Sequence, residues 1–159
     1  MPSFPFSDNC RALRHRCYAH LFLLDDRASS LEDTIALRQQ AAQEVDALLS
    51  HEAQSADEQA EILWTALVAR QVIIGDDDTV NDILRLAYNL LPDIQSPRLR
   101  CHLMAWMFAE NQDEQLLDEV RRLLPQLEHD DELPFLQQLL SVQQDMPSNR
   151  LLHVDAEFF

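Results

Sequence analysis

Apolar residues recur at three- and four-residue intervals along almost the whole chain, with no clear period-two alternation. That is the pattern of amphipathic helices and not of strands. A first helix is predicted from near Ser7 or Asp8, with Cys10, Leu13, Cys17, Leu21 and Leu24 on one face. A second follows Ser30, a cap answered by Asp33, and turns Leu31, Ile35, Ala42, Val45 and Leu49 inward. A third opens on the capping box Ser55-x-x-Glu58, carries Ile62, Leu63, Ala66, Leu67 and Ile73, and stops at Gly75. Asp76-Asp77-Asp78-Thr79 supplies the cap and acidic first turn of a fourth, with Ile83, Leu84, Ala87, Leu90 and Leu91 apolar and Pro92 ending it.

Ser96-Pro97 reads as a cap followed by a first-turn proline. The fifth helix, Arg98 to Ala109, is apolar nearly all round through Leu99, Cys101, Leu103, Met104, Trp106, Met107 and Phe108. Such a helix is central to a core or offers one face to a partner. A sixth follows Asp113 with Leu116, Leu117, Val120, Leu123 and Leu124, and Pro125 stops it. A seventh runs from Pro134 to about Gln144. The expected fold is therefore all-α: one compact domain of six to seven helices over residues 1–144, packed as antiparallel hairpins or as a bundle. Residues 145–159 form a tail, docked in a groove, disordered, or offered to a partner as a linear motif; disorder is the default for a terminus, and Leu151, Leu152, Val154, Phe158 and Phe159 weigh at least equally for docking. Ile83-Leu84, Ala87 and Leu90-Leu91-Pro92 match Leu116-Leu117, Val120 and Leu123-Leu124-Pro125 at an offset of 33, the spacing of stacked helical repeats. The tetratricopeptide consensus is absent, and two amphipathic helices of similar length account for the match more simply than a repeat solenoid.

Composition narrows the chemistry. The 159 residues fit one domain, and they include a single glycine, Gly75. Glycine-rich phosphate loops are thereby excluded. All 12 basic residues are Arg, so no lysine nucleophile exists. Against them stand 28 acids, for a net charge of −16. Such a surface repels nucleic acid and anionic membranes and favours basic partners. Residues 1–24 alone are basic, with Arg11, Arg14 and Arg16 against Asp8, and pairing with the chain's own acidic body is the simplest role for that patch. No signal core or stretch of roughly 18 apolar residues is visible. Three cysteines read as buried thiols, and the expected location is cytoplasmic.

Candidate catalytic patterns are thin. Glu58-x-x-Glu61 followed by Asp78-x-x-Asn81 approaches the paired carboxylates of all-helical, magnesium-dependent nucleotide pyrophosphohydrolases of the MazG type, but the second half of that motif fails. Asp76-Asp77-Asp78 lacks the glycine and distal Glu of a calcium loop. His153-x-Asp155-x-Glu157 has no distinctive ligand spacing. Cys101 and His102 are adjacent, so they diverge by about 100° around a helix. The expectation is a protein that is not an enzyme and uses no cofactor or metal.

Between Leu63 and Leu127 the chain sets Val72-Ile73-Ile74-Gly75 before the acidic cluster, then Ile83-Leu84 through Leu90-Leu91-Pro92. Ser96-Pro97-Arg98-Leu99-Arg100-Cys101-His102-Leu103-Met104 and Asp113-Glu114-Gln115-Leu116-Leu117-Asp118-Glu119 follow. In these segments it resembles the UpxZ family of gut anaerobic bacteria. The resemblance implies a regulator that antagonises NusG-like antitermination factors (UpxY) and so silences non-cognate capsular polysaccharide operons. The partner is then a protein, with no nucleic acid, membrane or small molecule. Competing readings are an acidic helical-repeat adaptor or secretion chaperone, and the hydrolase of Glu58, Glu61 and Asp78. Expected contact residues are Arg98, His102 and Trp106 on an exposed part of the fifth helix, with Phe158 and Phe159 in the tail. Core packing is the other role open to Trp106.

Overall fold

In the computed structural model, residues 5–21, 31–72 and 77–145 are described, and they are helical without a strand. The helices are α1 (Pro5–Leu21), α2 (Leu31–Leu49), α3 (Ala56–Arg70), α4 (Asp77–Leu90), α5 (Pro97–Asn111), α6 (Glu114–Leu123) and α7 (Leu133–Asp145). Their ends follow the polar residues placed there. Ser55 Oγ accepts the Glu58 N–H at 3.1 Å, while the Glu58 carboxylate takes the N–H of Gln54 at 3.2 Å, one residue before the box. Ser96 Oγ caps α5 through Leu99 N at 3.2 Å, with Pro97 in its first turn, and Asp113 caps α6 through Gln115 N at 3.0 Å. α1 begins at Pro5, earlier than the periodicity indicates, because proline suits a first helical turn.

Side-chain pairs fix the helix directions. Along α3 and α5, Asp57 meets the backbone of Gln95 and Ser96, Trp64 stacks on His102, and Gln71 meets Glu110, in that order. These two helices are parallel. Along α1 and α7, Arg11 meets Asp131, Arg14 meets Glu132 and Tyr18 stacks on Phe135 at 4.3 Å. They are parallel too. Near the start of α5, Arg98 reaches Asp130 and Glu132 just before α7, so the N-termini of α1, α3, α5 and α7 gather at one end. α1 packs on α3, α3 on α5 and α5 on α7, and the Tyr18–Phe135 stack, with the Arg14–Glu132 pair, joins α1 to the start of α7 and closes the ring. The even helices return on the outside: α2 against α3 and α1, α4 against α3, and α6 against α5.

That closure decides the meaning of the 33-residue offset. In an open stack of hairpins, α1 and α7 would be separated by the hairpins between them. Here they touch. The repeated pattern marks α4 and α6, each an amphipathic helix ending in a proline-bearing 3₁₀ turn, Leu91–Asp93 and Leu124–Leu127. α5 is central, as its all-round apolar character allows, and Cys101 through Ala109 are all buried.

α2 departs from expectation. Its buried stripe is Ala41, Val45 and Leu48, whereas Ile35 is 43% exposed and Ala42 and Leu49 only half-buried. Periodicity identified an apolar side, but the fully buried positions of α2 lie in its C-terminal half, while Leu37 is half-buried against the core and Arg38 Nε donates to Val72 O at 3.1 Å. Leu24, Ile73, Gly75 and the tail beyond Asp145 lie outside the described residues.

α5 ends on Gln112, which adopts a left-handed conformation at φ 57° while its N–H bonds Phe108 O at 2.8 Å. A side chain costs free energy at that geometry. Gln112→Gly is expected to stabilise the protein by about 0.5–1 kcal/mol, read as a higher urea midpoint. A lower midpoint would show that the Gln112 Nε2 bond to Phe108 O outweighs the backbone strain.

Candidate functional site

Arg14 lies on the inward stripe of α1, at four-residue spacing from Cys10 and Tyr18, and is carried into the core with them. Its side chain is 1% exposed and that of its main partner, Glu132, 0%. The guanidinium makes four hydrogen bonds: Nε and Nη2 to the two Glu132 oxygens at 3.0 and 2.8 Å, and Nη1 to Glu61 at 3.1 Å and Thr65 Oγ1 at 2.8 Å. Its Cζ stands 3.7 Å from the centroid of the Trp64 ring. Glu132 also accepts from Tyr18 OH at 3.0 Å and Arg98 Nη2 at 3.1 Å. A buried carboxylate with this many donors is the arrangement that burial of charge requires.

A second carboxylate continues the network. Asp130 accepts from Arg98 Nε at 3.0 Å, from the Glu132 N–H at 3.1 Å and from His102 Nε2. Burial works against ionisation of Asp130, yet the His102 and Arg98 hydrogen bonds hold its carboxyl well below the usual range. Burial likewise opposes the charge on Glu132, and Arg14 lowers its pKa all the same. For His102 burial is the larger influence and pushes the imidazole below its ordinary value. The ring is therefore neutral and donates Nε2–H to Asp130. Its buried Nδ1 has no hydrogen-bond partner, as fits the unprotonated nitrogen. Burial raises the Tyr18 phenol well above its ordinary range, so it remains a donor.

Beside this network opens a cleft of about 600 Å³, rimmed by Asp8, Arg11, Ser96, Arg98, Leu99, His129 and Asp131. Arg11 pairs with Asp131 across it, and Arg16 pairs with Glu44 at 2.8 Å nearby. The basic patch at the chain's start thus meets the protein's own acids, as the charge balance suggested. Arginine and carboxylate alternate around the cleft, and each arginine is already held by a carboxylate.

The expected exposed face of α5 is not found. His102 and Trp106 are both 0% exposed, Trp106 stacking 6.1 Å from Tyr18, so neither presents a surface. Arg98, at 36%, is the reachable member of the trio. Phe158 and Phe159 lie outside the described residues. Glu61 is bound to Arg14, and Glu58 to Gln54 N and His51 Nε2 at 2.9 Å, which leaves neither carboxylate free to hold magnesium with Asp78. Among the described residues, no group of three or more His, Cys, Asp or Glu side chains converges as a metal site. Nor is any described helix long and apolar enough to cross a membrane. Cys10, Cys17 and Cys101 are free and buried, with burial raising their thiols to about 11, 12 and 12. Cys101 points its thiol at Val120 O while His102 turns to Asp130, so the neighbours diverge.

Two outcomes follow from these charges. Arg14→Met strands Glu132 and should cost about 3–5 kcal/mol in urea unfolding. A loss of less than about 1 kcal/mol would show that Arg98 and Tyr18 satisfy Glu132 without it. With His102 lowered from 6.5, the unfolded chain takes up that proton first, so stability falls as pH drops below about 6.5. Asp130 and Glu132 add a further loss below their ordinary 3.8 and 4.5. His102→Gln should flatten the melting-temperature profile below about pH 6.5, and an unchanged slope there would refute a buried neutral imidazole.

No protein-family model and no curated protein matches the chain. Its structure is similar to that of a transcription anti-terminator antagonist, UpxZ, from Bacteroides uniformis. The TM-score is 0.69 at 20% sequence identity, over 92% of this chain and 94% of that one. The chain thus shares the fold of that structure, and the likeness extends well beyond the segment from Leu63 to Leu127.

Proposed function

We propose that this chain is a regulatory protein that binds a NusG-like transcription antitermination factor and blocks it, keeping non-cognate capsular polysaccharide operons silent. The carrying observation is the likeness to the UpxZ antagonist along nearly the whole of both chains. The charge of −16 supports a mechanism of occupation: an acidic helical body covers a basic surface that the factor needs for RNA or polymerase. Binding alone accomplishes this, without cofactor, metal or bond-making chemistry, and the site of action is the cytoplasm. Arg98, half-exposed at the cleft, is a contact residue a partner can reach. A helical-repeat adaptor is less well supported, because such proteins hold their substrates on the concave face of an open stack, and the ring of α1, α3, α5 and α7 is closed.

Affinity capture of the tagged protein from its own host, at low and at moderate salt, tests this reading. A NusG-like factor should be recovered and its yield should fall as salt rises. Recovery of secretion substrates, or of no partner, would overturn it.

A further inference from the structure

The ion pairs around the cleft are held with unequal strength. Beneath it, the Arg14 guanidinium bonds Glu132, Glu61 and Thr65 and is itself buried. Arg98 uses Nε and Nη2 on Asp130 and Glu132, whose side chains are buried too. Neither arginine can leave without stranding a buried carboxylate. The pair at the rim is different. Arg11 and Asp131 are 45% and 56% exposed, and both Nη atoms of Arg11 meet that one carboxylate. An ion pair so open to water is weakly held and readily exchanged.

Several features of the cleft suit a guanidinium or ammonium group arriving from outside. Asp8, Glu61, Asp130 and Asp131 line it against Arg11, Arg14 and Arg98, and buried Glu132 lies directly behind. An incoming cation that takes the place of Arg11 on Asp131 preserves this balance, whereas an incoming anion adds to the carboxylates. Leu99 is half-buried at the rim, an apolar rest for the stem of a long basic side chain. Arg98 Nη1 bonds no described residue, and the other two nitrogens fix it in place. It is a preorganised donor for a backbone carbonyl of the same incoming chain. A volume of about 600 Å³ admits a side chain together with the backbone that bears it.

We infer that the cleft receives a basic side chain of the protein partner, which displaces Arg11 from Asp131. Arg11 is a placeholder: it occupies the carboxylate until the partner arrives and then turns out to solvent. The charge of −16 draws a basic surface in, and the exchange costs little because one exposed ion pair gives way to another. The same carboxylates disfavour a phosphate group as the occupant. The inference rests on the proposed antagonism of an antitermination factor and specifies where that partner is met.

The test is calorimetric binding of the full chain to a purified NusG-like antitermination factor, with thermal melting as the control for folding. Asp131→Asn should weaken binding by about tenfold with little change in melting temperature. Arg11→Gln removes the competitor and should bind as tightly as the parent, or more tightly. Asp118→Asn, exposed on α6, makes the same change of net charge and should stay within about twofold of the parent. Equal losses in Asp131→Asn and Arg11→Gln would reduce the pair to a structural one and overturn the exchange. A loss in Arg11→Gln alone would put an acidic group of the partner in the cleft instead. Equal losses in Asp131→Asn and Asp118→Asn would leave only a general field, and parental affinity in Asp131→Asn would deny the cleft any part. Each of these outcomes overturns the exchange and leaves the antagonist reading intact. No binding by the parent chain would remove both.

Discussion

The buried ion pair between Arg14 and Glu132 is the constraint on which the arrangement of helices depends. It joins the first helix to the residue before the last across 118 positions of sequence. Neither charge is tolerable in the core without the other. Once Arg14 is drawn inward on the stripe of Cys10, Leu13 and Cys17, the start of α7 must come to it. Glu132 is held in turn by Arg98, so the first turn of α5 is fixed at the same level. Three of the four inner helices are thereby registered on one carboxylate, and Glu61 brings in the fourth.

Parallel helices raise a difficulty that this network resolves. Gathering the N-termini of α1, α3, α5 and α7 places four positive dipole ends together. The residues found there are acidic: Asp8 in α1, Asp57 and Glu58 in α3, and Asp130, Asp131 and Glu132 before α7. Asp57 accepts the N–H groups that lead into α5, at 2.7 and 3.4 Å. The same field favours the ionised form of the buried carboxylates, alongside their hydrogen bonds to arginine. The cleft at this end consequently has a charge-balanced rim, and the excess of acid is displaced to other surfaces.

Much of the fold was legible because caps and stops act locally. Ser55, Ser96 and Asp113 each bond the N–H groups their positions predict, and Pro92 and Pro125 end α4 and α6 in short 3₁₀ turns. The centrality of α5 followed from apolar residues on every side of it. What the pattern could not convey was the depth of a contact: Ile35 is on the apolar side predicted for α2 together with Val45, yet it is 43% exposed where Val45 is buried. Nor could periodicity distinguish an apolar face turned to a partner from one turned to the core, which is why Trp106 and His102 were misplaced at a surface. One signal for the charge network was present. Arg14 interrupts an otherwise apolar stripe, and a charge so placed calls for a buried partner. The identity of that partner was hidden, because Asp130, Asp131 and Glu132 look like an ordinary acidic turn until the chain closes.

The exclusive use of arginine links the interior to the surface. Arg14 makes four hydrogen bonds in one plane and stacks on Trp64, which a lysine ammonium cannot do. Arg11, Arg16 and Arg98 are likewise drawn to specific carboxylates around the inner helices. The outer helices keep Arg38, Arg85, Arg121 and Arg122, of which Arg85 pairs with Asp82 and Arg122 with Glu119 on the same helix. The acids of α2, α4 and α6 outnumber these arginines, and the chain contains no lysine to redress the balance. The pairing that closes the ring of inner helices is thus also what leaves the outside of the protein strongly negative.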